Sequence, residues 1–488
     1  MQGKLRVMLF LLFVASFLAA SGSVLFYAFG YRFNFERGIF VYGGSITLKS
    51  NPVEISVRID DALIPSGELD QLNQSYHITG IIPGEHLIEV SAPGYQSWRK
   101  RVIVRSGVSN EFWNITLPRQ SYDAEHYAGT DGFTRYFQSP EPTVFAGIRE
   151  SSDMAEIMMR DTEAEANETL FARSETRFDL ASHENLEWSP AGDQIVFPVF
   201  FDHARHVMTV DIETRESRDL SQELSHFSML RPRWNPEIKR SLLYLADGNL
   251  YRLDLALPET TPLVPMLLAS DIVTYDLSGS DIYLYRKDGT LSFFDAGSET
   301  PEPRVITSIP GAADYQEDST LIVYDEYRIA LISSDGALLF FNDSLEETSI
   351  KTLAAKDVSG VQFSDDGKKL LFFSDRDISV YFIQEWEVQP KRMQEDIWQI
   401  SRFADSISSV QWAKDYEHVL YLKHATVYAA ELDNRDQRNI HTLISFDRPP
   451  LQILSRVNEN QVFFVSNDGD IPSLLSIDFP EFKGFFTR

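Results

Sequence analysis

The sequence predicts an all-β protein that follows one N-terminal transmembrane helix. Three observations lead to this prediction. Residues 7–31 form a long uncharged apolar segment, and residues 44–118 alternate between apolar and polar side chains with the period of a β-strand. Residues 121–488 repeat a strand–turn–strand unit at intervals of roughly 40 to 50 positions, without a convincing helical segment.

The composition limits the classes of function that fit this chain. The 488 residues include no cysteine, which excludes disulfides, thiolate metal sites and cysteine nucleophiles. The net charge is −28; residues 1–120 carry 11 Lys and Arg against 9 Asp and Glu, whereas the remainder carries 33 against 63. An acidic surface repels phosphate groups, so we expect no nucleic-acid partner, and the simplest role of the charge is solubility.

A membrane anchor is predicted at residues 7–31, which contain no charged side chain. About 20 apolar residues cross a bilayer as a helix, and a longer segment tilts. Lys4 and Arg6 precede the segment, which places residues 1–6 in the cytoplasm and residues 32–488 outside the cell membrane. A cleavable signal peptide is the alternative, because small residues (AASGS) stand at 19–23. The apolar run continues beyond them, which favours an uncleaved single-pass anchor.

A small β-sandwich is predicted at 44–118, after a juxtamembrane segment at 32–43. Strand-like alternation occurs at 45–49, 55–59 and 86–90. Turn signals separate these strands at Asn51-Pro52, Asp60-Asp61, Pro83-Gly84 and Pro93-Gly94.

The spacing of these turns resembles the PEGA domain family. The resemblance lies in GSITLKSNP at 44–52, VRID at 57–60, IPGEH at 82–86 and APGY at 92–95. The sequence departs from the family at 52–55, where PVEI replaces the usual Pro-Glu-Gly-Ala, and at 65–74, where the turn is longer. The resemblance implies an extracytoplasmic β-sandwich module of bacterial envelope proteins, with no catalytic residues.

One predicted strand of the sandwich carries a basic stripe. Arg99, Arg101 and Arg105 share a strand face with Ile103. The stripe fits either contact with anionic lipid head groups or wall polymer, or a solvated edge strand that discourages edge pairing, and the second interpretation is preferred.

The repeats of residues 121–488 predict a β-propeller. Four strands in 40 to 50 residues are typical of one propeller blade. Eight copies favour eight blades, with seven if the first copy only completes the ring, and a closing strand is expected at 482–486. The first strands of the copies align at Phe137, Trp188, Trp234, Tyr275, Ile322, Phe363, Trp412 and Leu454.

Two kinds of turn recur in the same register. Asp-Gly, a strong hairpin signal because type I′ turns need positive φ, occurs at 247–248, 288–289, 335–336 and 468–469. Between the first two strands, SPAG stands at 189–192 and SDDG at 364–367. These copies resemble the repeats of TolB-like and WD40-like propellers, and the resemblance implies the fold without an activity.

No catalytic, cofactor or metal site is predicted. The sequence has no Gly-x-Ser-x-Gly nucleophile elbow, and it lacks the cysteines expected of a quinone-dehydrogenase propeller. Two short clusters were weighed as ion sites. DHARH at 202–206 has metal-ligating residue types but no second cluster, and NDGD at 467–470 resembles part of a calcium loop but is explained by a hairpin turn.

These observations predict a non-enzymatic binding or scaffolding protein of the cell envelope. The anchor at 7–31 contacts the membrane, and the propeller presents a face or its channel to an envelope protein or glycan. The alternative is a glycan-processing hydrolase or lyase with carboxylates in the propeller channel. Its support is the abundance of Asp and Glu, which solubility explains equally well.

Overall fold

The computed structural model describes residues 2–34, 38–65, 69–70, 74–152, 154–181, 184–225, 228–256, 261–309, 318–344, 349–455 and 461–479. It begins with helix α1 (Gln2–Ala28). The part Arg6–Ala28 has the length and apolar composition of a membrane span, and none of its most apolar window is buried. Because a signal sequence near the N-terminus has the same properties, the helix agrees with both alternatives.

A short hairpin connects the helix to the sandwich. Strands β1 (Tyr31–Asn34) and β2 (Ile39–Tyr42) pair in antiparallel fashion. Strand β3 begins two residues after β2, so little free chain separates the helix end from the first domain.

Residues 44–116 form two four-stranded sheets around one apolar core, in agreement with the predicted β-sandwich. Their strands are β3 (Gly44–Asn51), β4 (Ser56–Ile59), β5 (Ala62–Leu63), β6 (Leu69–Asp70), β7 (Ser75–Ile81), β8 (Gly84–Ser91), β9 (Trp98–Val104) and β10 (Ser109–Thr116). One sheet has the order β10-β3-β7-β6, with β10 parallel to β3, and the other has the order β5-β4-β8-β9. Most of the predicted long turn at 65–74 lies outside the described residues.

The described part of residues 125–478 forms eight sheets, which we number as blades 1 to 8. After β11 (Glu125–His126), blade 1 contains β12 (Arg135–Gln138), β13 (Val144–Glu150), β14 (Met154–Asp161) and β15 (Ala166–Ser174). Blade 2 contains β16 (Arg177–Phe178), β17 (Glu187–Trp188), β18 (Gln194–Phe201), β19 (Ala204–Asp211) and β20 (Ser217–Asp219), followed by helix α2 (Leu220–Leu224). Blade 3 contains β21 (Leu230–Trp234), β22 (Ser241–Ala246), β23 (Asn249–Asp254) and β24 (Met266–Ala269). Blade 4 contains β25 (Ile272–Ser278), β26 (Asp281–Arg286), β27 (Thr290–Asp295) and β28 (Arg304–Ser308).

The remaining blades repeat the same antiparallel order. Blade 5 contains β29 (Thr320–Asp325), β30 (Arg328–Ile332), β31 (Leu338–Asn342) and β32 (Ser349–Ala354). Blade 6 contains β33 (Gly360–Phe363), β34 (Lys369–Phe373), β35 (Asp377–Phe382) and β36 (Ile397–Arg402). Blade 7 contains β37 (Ile407–Trp412), β38 (His418–Lys423), β39 (Thr426–Glu431) and β40 (Ile440–Ser445). Blade 8 contains β41 (Gln452–Ser455), β42 (Gln461–Ser466) and β43 (Ser473–Asp478).

The predicted register of the repeats is confirmed. Each of the eight aligned residues, from Phe137 to Leu454, lies in the first strand of a different blade, apart from blade 2, where Trp188 lies in the second of two short strands that both pair with β18. The first copy forms a complete blade of its own, so the ring has eight blades rather than seven.

The ring is closed by the N-terminal end of the propeller segment. Strand β11 pairs antiparallel with β43 and supplies the fourth strand of blade 8. The predicted closing strand at 482–486 lies outside the described residues. Closure removes the free sheet edge that an open ring of blades would expose.

The apolar cores of the propeller lie between blades. Eight clusters of buried side chains each join two neighbouring blades, including blade 8 with blade 1. Phe197, Trp234 and Phe340 are among the fully buried members. Burial of each such side chain stabilises the fold by about 1.5–3 kcal/mol, so blade-to-blade packing holds the ring together without disulfides.

The aligned tryptophans have a specific role in this packing. Each donates its indole N–H to a carbonyl in the inner strand of the preceding blade. The pairs are Trp188 to Phe137 (3.1 Å), Trp234 to Glu187 (3.1 Å) and Trp412 to Gln362 (3.2 Å). A buried indole needs a hydrogen-bond acceptor, and this geometry explains why Trp recurs in the repeat.

The Asp-Gly turns connect the second and third strands as predicted, but they differ in geometry. Asp247 and Gly248 have φ of 52° and 74°, which fits a two-residue type I′ hairpin. At 288–289 and 335–336 only the glycine has positive φ. The connecting segments there have three and five residues, and longer loops select other turn types.

Candidate functional site between the sandwich and the propeller

Strand β9 carries the predicted basic stripe on one face and a contact with the propeller on the other. Arg99 and Arg101 are exposed and form ion pairs with Glu89 (2.8 Å) and Glu85 (3.2 Å) of the neighbouring strand. Ile103 is also exposed on this face. The arginines are therefore largely matched by carboxylates, which agrees with the preferred interpretation of a solvated face.

Lys100 lies on the buried face of β9 and was not among the residues predicted to be functional from the sequence. Lys100 is fully buried, and its Nζ lies 2.7 Å from Glu431 Oε1 at the end of β39 in blade 7. The same ammonium donates to the carbonyl oxygens of Asp433 (2.9 Å) and Gln437 (2.7 Å). The alternation of β9 places Lys100 between Trp98 and Val102, and a lysine on an apolar face signals a buried partner.

Glu431 is the acceptor at the centre of this contact. Its Oε2 accepts from Trp98 Nε1 at 2.8 Å, and its Oε1 accepts from the backbone N–H of Asn439 (2.6 Å) as well as from Lys100. A buried ion pair is favourable only when such additional hydrogen bonds satisfy both charges. The carboxylate therefore joins the core of the sandwich to blade 7.

The backbone edge of β9 is covered by the loop at 432–439 of blade 7. Arg99 N donates to Asn439 Oδ1 (3.0 Å), and Asn439 Nδ2 donates back to the Arg99 carbonyl (3.1 Å). Two positions further along, Arg101 N donates to Asp436 Oδ2 (2.8 Å). These side chains take the place of a neighbouring strand, so the sheet edge does not offer a free template for pairing.

A second contact joins strand β10 to the same region. Gln389 donates to the Ser109 carbonyl (2.8 Å) and accepts from Glu111 N (3.1 Å). Arg435 donates to the Glu111 carbonyl (2.9 Å), and its guanidinium lies 3.9 Å from the centre of the Phe112 ring. Contacts on both β9 and β10 fix the orientation of the sandwich on the propeller.

A cleft of about 550 Å³ lies beside this docking interface. Most of its lining comes from the sandwich, and the propeller contributes Asp415. The cleft is within the size range of small-ligand sites, which occur preferentially at domain interfaces. Two stretches that carry the PEGA resemblance, 50–52 and 92–95, converge on it. The lining includes Ser50, Asn51, Pro52, Gln74, Pro93, Tyr95, Trp113, Asn114 and Thr116.

The lining has the chemistry of a site for a polar ligand, because it combines an aromatic ring and neutral polar groups with the charged side chains of Lys49 and Glu54. Trp113 is half-buried, and its indole N–H is held by Glu111 at 3.0 Å, which orients the ring. Amide and hydroxyl groups from Asn51, Asn114 and Thr116 supply both donors and acceptors. An aromatic surface with hydrogen-bonding donors and acceptors suits a sugar or a peptide segment.

Asp415, which lines the cleft, and Glu417, two residues further along the chain, are both held in ion pairs. Asp415 Oδ2 lies 2.6 Å from His418 Nδ1; burial opposes the charged form, but His418 and two backbone N–H groups lower the pKa of Asp415. Glu417 is bound by Lys369 (2.6 Å) and Arg392, and these cations likewise lower its pKa against the effect of burial. The carboxylates at this site are therefore held ionised by partners and support the interface.

Two carboxylates on the inner strands of the propeller, the region considered for the enzyme alternative, are also paired. Glu187 and Asp276, on inner strands of blades 2 and 4, lie on either side of Arg233, at 2.6 Å and 3.1 Å. Each also accepts a backbone N–H from the next blade, Trp234 N and Val323 N. Their contacts connect neighbouring blades.

A second cavity, of about 820 Å³, lies between blades 4 and 5. It is lined by Asp281, Asp295 and Glu326 together with Arg304 and Tyr327. Partial burial, followed by the negative charges of Asp295 and Glu326, raises the pKa of Asp281.

The two short clusters weighed as ion sites are hairpin turns. Asp202 and His203 have φ of 48° and 66° and connect β18 to β19. His206 points into the blade, where it is hydrogen-bonded to Asp219 (2.8 Å) and stacked on Phe201. The segment 467–470 lies between β42 and β43. Over the described ranges, no group of three or more His, Asp or Glu side chains has the geometry to hold a metal ion.

Comparisons with known proteins add fold-level similarity. No protein-family model and no curated protein matches the chain. Among solved structures, it is similar to the Dos1 propeller, with 12% identity, 74% of this chain and 96% of that chain covered, and a TM-score of 0.46. It is also similar to Sqt1 of Saccharomyces cerevisiae, with 11% identity, 74% of this chain and 100% of that chain covered, and a TM-score of 0.44. The Cps50 (Swd1) β-propeller domain of Myceliophteria thermophila is similar at 13% identity, with 73% of this chain and 99% of that chain covered and a TM-score of 0.39.

Proposed function

We propose that this protein is a membrane-anchored, extracytoplasmic binding or scaffolding protein of the cell envelope. Helix α1 is the uncleaved anchor, with Lys4 and Arg6 on the cytoplasmic side. The sandwich, which resembles the PEGA family of envelope modules, follows the anchor, and the acidic propeller is held beyond it. The ligand is an envelope protein or glycan.

The observation that carries this proposal is the docking of the sandwich on blade 7. A flexible linker would let the two domains move independently, whereas the buried Lys100–Glu431 pair and the contacts of β9 and β10 hold them in one orientation. Such fixed geometry suits a platform that presents a defined surface at a set position relative to the anchor.

The interdomain cleft is the ligand site in this proposal. It combines the aromatic surface of Trp113 with the neutral polar groups of Asn51, Asn114 and Thr116, which matches a sugar or peptide segment of an envelope polymer. Binding there would depend on both domains, because Asp415 of blade 7 completes the lining.

The experiment is an affinity capture with the full chain in detergent, against solubilised envelope proteins and purified wall or surface glycans. We expect Trp113→Ala to reduce retention of the bound partner at least tenfold, because the change removes the aromatic surface. Ile103→Ala, which changes an exposed apolar residue on the opposite sheet, is the matched control and should bind normally. Equal binding by wild type and Trp113→Ala would contradict the assignment of the cleft.

A glycan-processing enzyme is the second candidate, and the cavity beside blade 4 favours it. Asp281, whose pKa partial burial raises, lines the same cavity as Asp295 and Glu326, and glycoside hydrolysis uses a pair of carboxyl groups. Product analysis on retained glycans tests this candidate. Turnover that is lost in Asp281→Asn and kept in Trp113→Ala would establish the enzyme and replace the binding proposal.

A further inference from the structure

The hairpin between the helix and the sandwich has one aromatic face. In the β1–β2 register, Tyr31 lies opposite Tyr42, and Phe33 lies opposite Phe40. Residues two apart on a strand share a face, so all four rings lie on the same side of the hairpin. Their centroids are 5.4 Å apart in the tyrosine pair and 5.2 Å apart in the phenylalanine pair.

The end of helix α1 extends this aromatic face. Phe26 stacks on Phe40, with ring centroids 5.4 Å apart, and packs edge-on against Tyr31 at 5.2 Å. The apolar surface of the helix and the aromatic face of the hairpin are therefore continuous. The rings remain accessible: Phe33, Phe40 and Tyr42 are 37%, 45% and 47% exposed.

The opposite face of the hairpin is fixed to the sandwich. Arg32 packs over Gly80 so closely that a Cβ at this glycine would lie 2.2 Å from the guanidinium. The same guanidinium donates to the Tyr27 carbonyl (2.9 Å) at the end of the helix. Ser106 donates to the Tyr42 carbonyl (2.9 Å) on the sandwich side. The aromatic face consequently lies on the side of the hairpin where the helix leaves, with the Tyr42 ring at its border beside Gly107 of the sandwich.

Physical constraints determine the depth of this aromatic face in a lipid bilayer. A two-stranded hairpin with exposed aromatic rings is marginally stable in water. Among the described residues the hairpin is a sheet of two strands, and a lipid-exposed open sheet does not occur in the hydrocarbon core, where backbone N–H and C=O groups must be satisfied within the protein. The region between these two environments, at the level of the lipid head groups, accommodates both the rings and the polar backbone edges, and aromatic side chains are enriched there.

We propose that the aromatic face of Tyr31, Phe33, Phe40 and Tyr42 is inserted into the lipid head-group region next to the anchor, in the extracytoplasmic leaflet of the membrane that α1 crosses. The occupant of this surface is the lipid bilayer that surrounds α1, because the helix surface and the aromatic face are contiguous through Phe26. The inference rests on the proposed function, since it requires α1 to be a membrane anchor. It adds a second membrane contact, which sets the tilt of the sandwich and propeller relative to the bilayer.

The absence of cysteine makes site-specific labelling a direct test. The full chain is prepared with a single cysteine as Phe40→Cys, Leu12→Cys or Ile103→Cys, is labelled with a nitroxide, and is reconstituted in phosphatidylethanolamine–phosphatidylglycerol vesicles. Electron paramagnetic resonance then compares relaxation by oxygen, which concentrates in lipid, with relaxation by a water-soluble nickel chelate. Leu12 lies within the apolar span of the helix, and Ile103 is an exposed apolar residue of the sandwich.

The expected ratio of oxygen to nickel accessibility at Phe40 lies between the high ratio at Leu12 and the low ratio at Ile103. A ratio at Phe40 equal to that at Ile103, with Leu12 in lipid, would overturn the inference and leave the anchor intact. Water-exposed labels at both Phe40 and Leu12 would overturn the membrane anchor as well. Tyr42→Cys is a second label on the same face and must give an intermediate ratio even if Phe40→Cys folds poorly.

Discussion

Lys100 is a buried cation at the centre of the docking interface. Its ammonium is fully buried, and Glu431 is the carboxylate that balances it. The carboxylate in turn holds Trp98 and Asn439, so the two domains share one set of hydrogen bonds. Because neither charge reaches water, each partner depends on the other.

Replacing Lys100 by methionine is expected to destabilise the protein by about 3–5 kcal/mol, since Glu431 is left as an uncompensated buried charge. The measurement is urea-induced unfolding of the full chain in detergent. Lys356→Met is the matched control, because Lys356 forms an exposed pair with Asp357 that contributes about 0–1 kcal/mol. Equal losses of stability in the two variants would contradict the assigned role of Lys100.

His441 on β40 predicts a pH dependence. Burial, with a smaller contribution from the charge of His418, lowers its pKa from 6.5 to about 4. Between these values the unfolded chain binds a proton that the folded chain does not, so stability is lost as pH falls from about 6.5 to 4. His441→Gln removes this titration and should reduce the acid-induced loss by up to about 3 kcal/mol, measured as unfolding midpoints between pH 7 and 4.

His418 titrates with the opposite sign and provides the internal comparison. Burial opposes protonation, but Asp415 raises the pKa of His418 above 6.5. Its contribution to stability is present below pH 6.5 and is lost as the pH rises through the raised value.

A steeper acid-induced loss of stability in His441→Gln than in the wild type would show that the sign assigned to His441 is wrong.

At the scale of strands and blades, the inner strands carry hydrogen bonds that close the ring. Gln452 on β41 accepts from Tyr136 N (2.7 Å) and donates to the Tyr136 carbonyl (3.0 Å), which joins blade 8 to blade 1. Gln411 makes the equivalent contact between blades 7 and 8, accepting from Ser455 N at 2.8 Å. These amides bind backbone groups that no sheet ladder satisfies.

Gln452→Leu is expected to cost about 1–3 kcal/mol, because it leaves a buried backbone N–H of Tyr136 without an acceptor at the point of ring closure. Hydrogen exchange of blades 1 and 8 checks the location of the loss. Gln399→Leu, a change to an exposed amide on β36, should alter stability by about 0.5 kcal/mol or less. Faster exchange throughout the propeller, without a maximum at blades 1 and 8, would argue against this role.

The blades were predictable and the docking interface was not, for one physical reason. Each blade is indicated by features that lie close together in the sequence: an aromatic or aliphatic residue in the first strand, a turn, and a hairpin within about 15 residues. The docking contact joins Trp98 to Glu431, which are 333 positions apart, and no local pattern records the pairing. The one available signal was Lys100 on the apolar face of β9, which predicts a buried partner without identifying it.

Over the whole molecule, the aromatic hairpin, the sandwich and the propeller form one connected body. The acidic charge is concentrated beyond residue 120, in the propeller. A single covering element, the loop at 432–439, both positions the propeller and protects the β9 edge. Loss of this loop contact should therefore change domain orientation and association together.

Combined replacement of Asn439 and Asp436 by alanine tests this coupling. The double variant removes the side-chain groups that pair with the backbone of Arg99 and Arg101, so the β9 edge becomes free. We expect a larger radius of gyration in small-angle scattering and concentration-dependent self-association, because an exposed strand edge recruits another strand. Asp405→Ala, in the exposed loop before β37 of the same blade, is the control. An unchanged radius together with a monomeric state would mean that Lys100 and Arg435 hold the sandwich in place without help from the side chains of Asp436 and Asn439.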